Sequence, residues 1–279
     1  MNDSPHSPLI DLHSHSTRSD GAFAPARLFE EAAARGVHTL ALTDHDTTAG
    51  LDEAEAAAAE HGVDFVPGVE ITCECAGTEV HLLGLGIDRL NSVLKRLCND
   101  VQQRRQKRFF EMVEKLRAHG VPLSTEGVED GVSLARPYLA RMLIQQGKVA
   151  SYQEAFARYL RKGCPGFVEH STIKIKTAIE AIQAAGGVAV IAHPGLYRNG
   201  DEVVFEARKE GLDGIECHHS DHNHDVSQHY VSIARKLEML VSGGADFHGP
   251  EHARSKFFGK RGCPPADFER MKEAIAARA

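Results

Sequence analysis

The sequence predicts an α/β fold in which parallel strands alternate with helices and a helical segment interrupts the alternation. Short apolar runs are followed by a polar tip, a helical stretch and a Gly before the next apolar run, which is typical of βα units. Between residues 92 and 167 helical periodicity replaces this pattern, with no strand signal. A chain of 279 residues is long enough to carry such an insertion. We therefore expect an α/β unit from residues 1–91 and 168–279 and a helical insertion from 92–167.

The first part of the chain predicts three strands of βα type followed by a hairpin. Pro25 suits the first turn of a helix, and Gly36 and Gly62 stand where the first and second helices end. A Gly-containing turn after Glu70 precedes a further apolar run, which favours a hairpin-like excursion. The predicted strands are residues 9–15, 39–42, 64–69 and 79–86, and the predicted helices are 25–35 and 48–61.

The inserted segment predicts one long helix and two shorter ones, at residues 92–119, 138–146 and 152–160. The long helix is unusually basic, because it holds Arg104, Arg105, Lys107 and Arg108 within little more than one turn. The i, i+4 spacing places Arg104 and Arg108 on one helix face. Such a run fits either a phosphate-binding surface or a solvent-exposed face.

The last part of the chain returns to βα alternation. The predicted strands are residues 188–192, 214–217 and 239–241, and the predicted helices are 172–185, 203–210, 225–237 and 265–277. The carboxyl ends of parallel strands lie on one side of a sheet, and sites in such folds are built from the loops on that side. We therefore expect the polar tips of both parts to face one cavity.

Composition excludes several classes of protein. The net charge of −7 and the pI near 6.2 argue against a broadly basic nucleic-acid-binding protein, so we expect no stable binding of duplex DNA. No stretch approaches the roughly 20 apolar residues that span a bilayer, so we expect no membrane association. The six cysteines form no C-x-x-C pair and no apolar export segment precedes them, which predicts reduced thiols and a cytoplasmic location.

Histidines and carboxylates are concentrated at or near the strand tips. His13 and His15 point to the same face of an extended segment, about 6 to 7 Å apart, which suits two ligands of one ion. Imidazole and carboxylate together bind divalent Mn, Fe or Zn, whereas Ca prefers oxygen ligands alone. The predicted metal ligands are His13, His15, Asp20, His45, Glu70, His81, His193, Asp246 and His248.

Five short motifs follow an order that resembles the PHP (polymerase and histidinol phosphatase) superfamily of metal-dependent phosphoesterases. The motifs are Asp-Leu-His-Ser-His-Ser at 11–16, Thr-Asp-His-Asp at 43–46, Gly-Val-Glu-Ile at 68–71, Ala-His-Pro at 192–194 and Asp-Phe-His at 246–248. The resemblance implies a distorted (β/α)7 barrel that binds three divalent ions, with the helical insertion as a lid over the substrate. The implied ion sites are His13, His15, Glu70 and Asp246; Glu70, His81 and His193; and Asp20, His45 and His248.

The reaction that this resemblance implies is phosphoester hydrolysis. Bridged metals lower the pKa of bound water, so that a metal-bridging hydroxide can attack at neutral pH while the ions neutralise the phosphoryl oxygens. Asp20 stands where related sequences place a histidine, and this harder oxygen ligand favours manganese. His219, His222 or an ordered water could protonate the leaving group. Asp44 and Asp46 could orient imidazoles as hydrogen-bond acceptors, although Asp46 could instead cap the following helix.

The basic insertion favours a substrate that carries two phosphates. Arg136 at a predicted helix start and Arg198 after the Ala-His-Pro motif are further candidates for phosphate binding. The Thr-Asp-His-Asp motif and the basic segments resemble the PHP subgroup that removes the 3'-phosphate from nucleoside 3',5'-bisphosphates, a subgroup that also contains enzymes trimming short RNA 5'-ends. The insertion would then hold the 5'-phosphate while the metals act at the 3' side. A 5'-3' exoribonuclease, a histidinol phosphate phosphatase and a metal-binding scaffold without turnover are the alternatives.

Overall fold

The computed structural model describes residues 9–126, 128, 134, 136–169 and 172–278, and the predicted α/β fold is confirmed. The chain divides into two compact units, one formed by Met1–Cys98 with Thr172–Ala279 and the other by Asn99–Ser171. The domain boundaries predicted from the sequence lie close to these positions and stay a prediction.

The first unit contains a mostly parallel sheet. Its strands follow the order β1-β2-β3-β4-β6-β7-β8, and the short strand β5 pairs with β3. Among the strands of the described residues only β4 runs against its neighbours, since it is antiparallel to both β3 and β6. The strands are β1 Leu9–Asp11, β2 Val37–Leu42, β3 Asp64–Cys75, β4 Thr78–Leu85, β5 Ile173–Lys174, β6 Val188–Ile191, β7 Gly214–His219 and β8 Leu240–Gly244.

Backbone hydrogen bonds join the two ends of this strand order. The Leu12 N–H donates to the Gly243 carbonyl at 3.1 Å, directly beyond β1. Farther along the same edge, the His15 N–H donates to Phe247 at 2.9 Å and the Asp246 N–H donates to His13 at 2.9 Å. The segment that follows β1 therefore lies beside the segment that follows β8.

Helices connect the strands of the first unit and form most of the second. Pro25 opens α1, and Gly62 ends α2 in the left-handed conformation with φ of 68°, which a Gly adopts without steric cost. The helices are α1 Pro25–Ala34, α2 Leu51–His61, α3 Ser92–Ala118, α4 Arg136–Gln145, α5 Tyr152–Ala155, α6 Ile175–Ala184, α7 Gly200–Lys209, α8 His224–Lys236 and α9 Pro265–Ala276. None of the helices in the described part of the chain combines the length and apolar character that a membrane span requires.

Each unit has its own hydrophobic core. In the first unit the core includes Ile10, Leu12, Leu83, Val190 and Met271, which pack around the sheet. In the second unit α3 and α4 bury their apolar faces with the helical turns of residues 152–160, through Phe109, Leu116, Leu139, Leu143 and Leu160. Burying one such side chain stabilises a fold by about 1.5–3 kcal/mol, so both units have the apolar contacts that a folded domain needs.

Several predicted element bounds required correction. Strand β1 ends at Asp11 rather than at residue 15, helix α2 begins at Leu51 rather than 48, and helix α7 begins at Gly200 rather than 203. Strand β3 continues through Glu70 to Cys75, because β4 supplies an antiparallel hydrogen-bonding partner from Gly68 onward. Residues 173–174 pair with β3, so helix α6 begins at Ile175 rather than 172. The predicted helix 152–160 is α-helical only to Ala155 and becomes a π-helix over Phe156–Leu160. The predicted hairpin is confirmed by the β3–β4 pairing.

Candidate metal centre

The nine predicted ligands come from six regions of the first unit and meet at one place. Glu70 lies at the centre, in the middle of β3 rather than at a tip. Its Oε2 atom lies 3.3 Å from His13 Nε2 and 3.2 Å from His15 Nε2. The Asp246 Oδ1 atom faces the same two nitrogens, at 3.4 Å and 3.2 Å. Two carboxylates and two imidazoles thus converge, as one of the implied ion sites requires.

Glu70 also belongs to the second predicted set of ligands. Its Oε1 atom lies 3.0 Å from His81 Nδ1 and 3.3 Å from His193 Nε2. His45 Nδ1 lies 3.1 Å from Glu70 Oε2, on the side of the carboxylate that faces the first set. One carboxylate is therefore shared between neighbouring groups of imidazoles.

The third predicted set is more open than the other two. Asp20 Oδ1 lies 3.3 Å from His248 Nε2, and Asp20 Oδ2 lies 3.9 Å from His45 Nε2. His15 Nδ1 is also near, at 3.7 Å from Asp20. The Asp20 side chain keeps 29% of its surface exposed, whereas that of Glu70 keeps 1%. The His81 side chain of the second set is similarly exposed, at 28%, so Asp20 and His81 both lie on the more open side of the site.

Unsatisfied polar atoms test whether these residues fit a metal. Leaving a buried polar atom without a hydrogen bond costs about 1–3 kcal/mol, and such atoms are rare in folded proteins. Mixed imidazole and carboxylate atoms at such spacings suit divalent transition metals. Within the described residues, buried atoms without a hydrogen-bond partner include His13 Nε2, His15 Nε2, His45 Nδ1, Glu70 Oε2, His193 Nδ1 and Asp246 Oδ1. The residues therefore fit a cluster of divalent cations.

The pKa values of the imidazoles differ between the parts of the site. Burial lowers the pKa of His15, but its contacts with Asp246 and Glu70 raise that pKa to about 10. Burial instead lowers the pKa of His193 to about 4, so this ring is neutral near pH 7. A neutral imidazole is the form that binds a metal. Protons on the rings between Glu70 and Asp246 thus supply the charge that a cation would supply.

Glu216 in β7 was not predicted from the sequence, although it completes the site. Its Oε1 atom lies 2.9 Å from His13 Nδ1, and its Oε2 atom accepts the backbone N–H of His193 at 2.7 Å. Burial would raise the pKa of Glu216, but His13 and His219 hold it at about 2. A carboxylate that accepts a hydrogen bond from one ring nitrogen of a histidine orients the other nitrogen toward a metal. The signal in the sequence is one acidic residue within the otherwise apolar run Gly214–Cys217.

Arg254 was also missed, because it stands outside every strand tip. Its guanidinium contacts Asp246 Oδ2, and its Nε donates to Asp221 Oδ2 at 2.8 Å. Asp246 therefore presents Oδ1 to the imidazoles and Oδ2 to Arg254. This division fixes the carboxylate in one orientation.

The two predicted orienting aspartates accept hydrogen bonds from backbone and serine groups of neighbouring segments, and their role toward imidazoles stays a prediction. Asp44 accepts the Ser16 N–H at 2.8 Å and the Ser16 and Ser19 hydroxyls at 2.6 Å each, which fixes the loop that carries Asp20. Burial raises the pKa of Asp44. Asp46 accepts the Thr72 N–H at 2.7 Å and so ties its loop to β3. Helix α2 has Gly50 at its N-cap, so the interpretation of Asp46 as a helix cap is wrong.

The predicted proton donors His219 and His222 have both ring nitrogens engaged. His219 Nδ1 accepts the Asp221 N–H at 3.1 Å, and its Nε2 lies 3.2 Å from Asp246 Oδ2. His222 Nδ1 donates to the Cys217 carbonyl at 3.0 Å, while its Nε2 accepts the Gly195 N–H at 3.1 Å. Neither ring offers a free N–H in this arrangement. Their role as proton donors stays a prediction.

The predicted phosphate-binding residues have varied surroundings. Arg105 is buried, Lys107 is exposed, and Arg104 Nε donates to Asp100 at 2.9 Å. Arg108 Nε donates to the Val168 carbonyl at 3.0 Å within the same unit. Arg136 is the first residue of α4, and Arg198 is exposed before α7. Their contact with a phosphate stays a prediction.

Comparison with known proteins gives a family and several relatives. The PHP domain family matches residues 11–215. The 5'-3' exoribonuclease of Haemophilus influenzae is 40% identical over 247 residues, covering 86% of this chain and 90% of the relative. The 3',5'-nucleoside bisphosphate phosphatase of Chromobacterium violaceum is 37% identical over 249 residues, covering 86% and 87%. The structure of a proposed metal-dependent phosphoesterase from Bifidobacterium adolescentis superposes with a TM-score of 0.85 at 29% identity, covering 97% and 98%. The likeness therefore extends over most of the chain.

Proposed function

The chain belongs to the PHP domain family, and from this premise we propose that it is a metal-dependent phosphoesterase that removes the 3'-phosphate of nucleoside 3',5'-bisphosphates. The observation that carries the proposal is the convergence of the nine predicted ligands around Glu70, with buried imidazole and carboxylate atoms that lack hydrogen bonds within the described chain. The relative from Chromobacterium violaceum, named for this activity, supports the choice of substrate.

We assign three divalent cations to the site, with manganese as the preferred ion because Asp20 adds a hard oxygen ligand. When bound, such ions lower the pKa of water and neutralise charge on a phosphoryl group. The ligand sets would be His13, His15, Glu70 and Asp246; Glu70, His81 and His193; and Asp20, His45 and His248.

Other residues of the chain hold these ligands in place. Glu216 turns His13 Nε2 toward Glu70, and Arg254 with His219 engages the outer oxygen of Asp246. Such contacts fix ligand geometry before a cation or substrate binds.

The 5'-phosphate of the substrate would be held by basic residues of the helical insertion. Arginine binds phosphate through two parallel N–H donors, and the start of a helix adds free backbone N–H groups. Arg136 at the start of α4 combines both features. The proposed contacts of the insertion are Arg104, Arg105, Lys107, Arg108 and Arg136. Arg198 is a separate candidate for phosphate binding in the first unit.

Phosphate release is the test of this proposal. The substrates are adenosine 3',5'-bisphosphate, AMP, histidinol phosphate and a short 5'-phosphorylated RNA, with Mn²⁺ added to metal-stripped protein. We expect the highest kcat/KM for the bisphosphate. Faster release from AMP or histidinol phosphate would contradict the proposed substrate. Metal uptake without release from any of the four substrates would support a scaffold without turnover.

A second candidate is a 5'-3' exoribonuclease, which the name of the Haemophilus influenzae relative favours. Measuring mononucleotide release from the 5'-phosphorylated RNA beside phosphate release separates the two candidates. An exoribonuclease would release mononucleotides with a higher kcat/KM than it would dephosphorylate the bisphosphate.

A further inference from the structure

A basic segment follows the last pair of predicted ligands and, apart from the Arg254 contact with Asp246, has no role in the reaction described above. Residues 252–261, here called the basic segment, contain four Lys or Arg residues and no Asp or Glu, in a chain whose net charge is −7. The four are Arg254, Lys256, Lys260 and Arg261. Such a local excess of positive charge attracts anions even when the whole protein is acidic.

The basic segment starts at the candidate metal centre. The His252 ring centroid lies 5.0 Å from that of His248. Two residues later, the Arg254 guanidinium contacts Asp246. An anion that entered the centre would therefore meet the basic segment at the edge of the site.

The later cations of the segment form a second group beside it. Arg261 Nη2 donates to the His222 carbonyl at 3.1 Å, which places this residue beside the loop after β7. The Phe257 ring lies 5.0 Å from Lys256 Nζ and 5.9 Å from the Arg261 guanidinium carbon. These cation–π contacts keep Lys256 and Arg261 close together.

The cations of this second group are available to a ligand. Lys256 and Lys260 are exposed, and Arg261 is partly exposed. Considering only the part of the chain that the structure describes, no carboxylate forms an ion pair with any of the three. By contrast, exposed Lys209 and Lys272 pair with Glu206 at 2.6 Å and Glu269 at 2.7 Å.

We propose that the basic segment binds the sugar-phosphate backbone of a single-stranded oligonucleotide whose terminal nucleotide occupies the candidate metal centre. This rests on the proposed function, because it places the substrate end at the predicted metal ligands. Single strands bind along positively charged surfaces next to aromatic side chains, and successive phosphates match successive cations. The protein would then hold an RNA strand by more than its terminal nucleotide.

Binding and turnover of a ten-nucleotide RNA test this inference in the metal-loaded enzyme. Fluorescence anisotropy measures binding of a 5'-phosphorylated, phosphorothioate-linked RNA that resists hydrolysis, over a range of salt concentrations. For the double variant Lys256→Ala/Lys260→Ala we expect about a tenfold loss of affinity and a salt slope smaller by about 1.4, since each phosphate contact on a single strand contributes about 0.7. The ratio of kcat/KM for unmodified RNA to that for adenosine 3',5'-bisphosphate should fall by a similar factor.

The double variant Lys209→Ala/Lys272→Ala is the matched control, because it removes the same charge from two exposed lysines of the same unit. We expect it to retain wild-type RNA affinity. Equal losses of RNA affinity in both double variants would overturn the inference, as would an unchanged salt slope in Lys256→Ala/Lys260→Ala. Wild-type protein that binds duplex DNA as tightly as the single-stranded RNA would also overturn it. If the wild type hydrolyses neither substrate, the proposed function fails, whereas the anisotropy measurement still decides whether the basic segment binds RNA.

Discussion

Glu216 shows how one buried carboxylate can set the geometry of two predicted ligands. Its two oxygens serve two different donors, the His13 ring at 2.9 Å and the His193 backbone N–H at 2.7 Å. His193 has φ of 32°, a left-handed backbone conformation that is unfavourable for a residue with a side chain. The Glu216 contact thus helps to hold His193 in a conformation that its own backbone does not favour.

The substitution Glu216→Gln tests this role. A glutamine offers one acceptor and one donor, so one of the two contacts would become a donor facing a donor. We expect affinity for Mn²⁺ to fall about 10–100-fold, as is common when a group that orients a metal ligand is lost. Isothermal titration of metal-stripped protein measures the affinity. Glu206→Gln, at a partly exposed residue of α7, is the control. Wild-type affinity in Glu216→Gln would contradict the assignment.

His222 permits a pair of substitutions that separates positioning from proton donation. Its Nε2 accepts the Gly195 N–H, close to His193, and its Nδ1 donates to Cys217. A glutamine amide can reach the position of Nε2, whereas an asparagine can reach only that of Nδ1. We expect His222→Gln to retain kcat because it keeps the Gly195 contact beside His193, and His222→Asn to lower kcat because that contact is left unmade. Each variant loses one hydrogen bond and should lose about 0.5–1.5 kcal/mol of unfolding free energy.

Urea unfolding and the pH profile of kcat are the measurements for the His222 variants. If His222 donates a proton to the leaving group, both variants lose kcat alike and the profile changes in both. That result would support the proton-donor prediction and contradict the positioning role.

Seven of the nine proposed ligands could be predicted because they stand in short motifs whose order is distinctive, whereas Asp20 and His81 lie outside those motifs. Glu216 and Arg254 could not be predicted in the same way. Each acts through a partner that is distant in sequence, and neither is at a strand tip. The sequence indicated His222 as a polar residue after a predicted strand, yet one of its hydrogen bonds depends on the backbone of another loop. The residue types in the sequence indicated which side chains could bind a metal, whereas the role of each supporting side chain depends on contacts that only the structure shows.

Strands β1 and β8 approach each other so closely that the contact depends on glycine. A Cβ atom on Gly244 would lie 2.6 Å from both the backbone nitrogen and Cβ of His13 and 2.8 Å from Asp11 Oδ1. Real Cβ contacts are longer, so a side chain here would force the two strand ends apart. The spacing of His13 from Asp246 depends on this approach.

We expect Gly244→Ala to destabilise the protein by about 1–3 kcal/mol through overpacking and to weaken Mn²⁺ binding as well. Gly36→Ala is the comparison, because Gly36 has φ of 75° but no atom within 4 Å of an added Cβ. It should cost about 1–2 kcal/mol of backbone strain and leave Mn²⁺ affinity intact. Urea unfolding and metal titration measure both effects. Intact metal binding in Gly244→Ala would contradict the link between strand approach and ligand geometry.

Arg136 in helix α4 provides a test of the predicted phosphate binding by the insertion. We expect Arg136→Ala to raise KM for adenosine 3',5'-bisphosphate about tenfold or more, since charge-assisted bonds to a phosphate contribute about 1.5–3 kcal/mol. Metal content should stay unchanged. Arg141→Ala on the exposed side of the same helix is the control. Unchanged kinetics in Arg136→Ala would remove its proposed role.

The alternation of strands and helices could be predicted because periodicity and punctuation are local properties. The extension of β3 past Glu70 could not, since residues 71–75 remain extended by pairing with β4. The two residues of β5 depend on a partner about a hundred positions away in sequence, which no local pattern indicates. The errors therefore lie where a tertiary partner decides the local structure.

At the scale of the whole molecule, the candidate site depends on several strands and the segments after them rather than on any one segment. The ligands come from β3, β4 and the segments after β1, β2, β6 and β8. Joining the segments after β1 and β8 brings His13 and His15 to Asp246, although more than two hundred residues separate them. The sequence could indicate this convergence only through the expectation that the polar tips share one side of a sheet.

Metal uptake should be coupled to proton release. Since the pKa of His15 is raised to about 10, its ring is protonated in the metal-free protein near pH 7, and a cation can bind only as that proton leaves. Affinity for Mn²⁺ should therefore rise with pH, by about tenfold per pH unit for each proton released. His193, with a pKa of about 4, contributes no proton in that range. Isothermal titration in buffers of different ionisation enthalpy counts the protons, and His229→Gln, at an exposed histidine, is the control. If the affinity for Mn²⁺ did not change with pH, the imidazoles between Glu70 and Asp246 would not be protonated in the metal-free protein, and the prediction would be wrong.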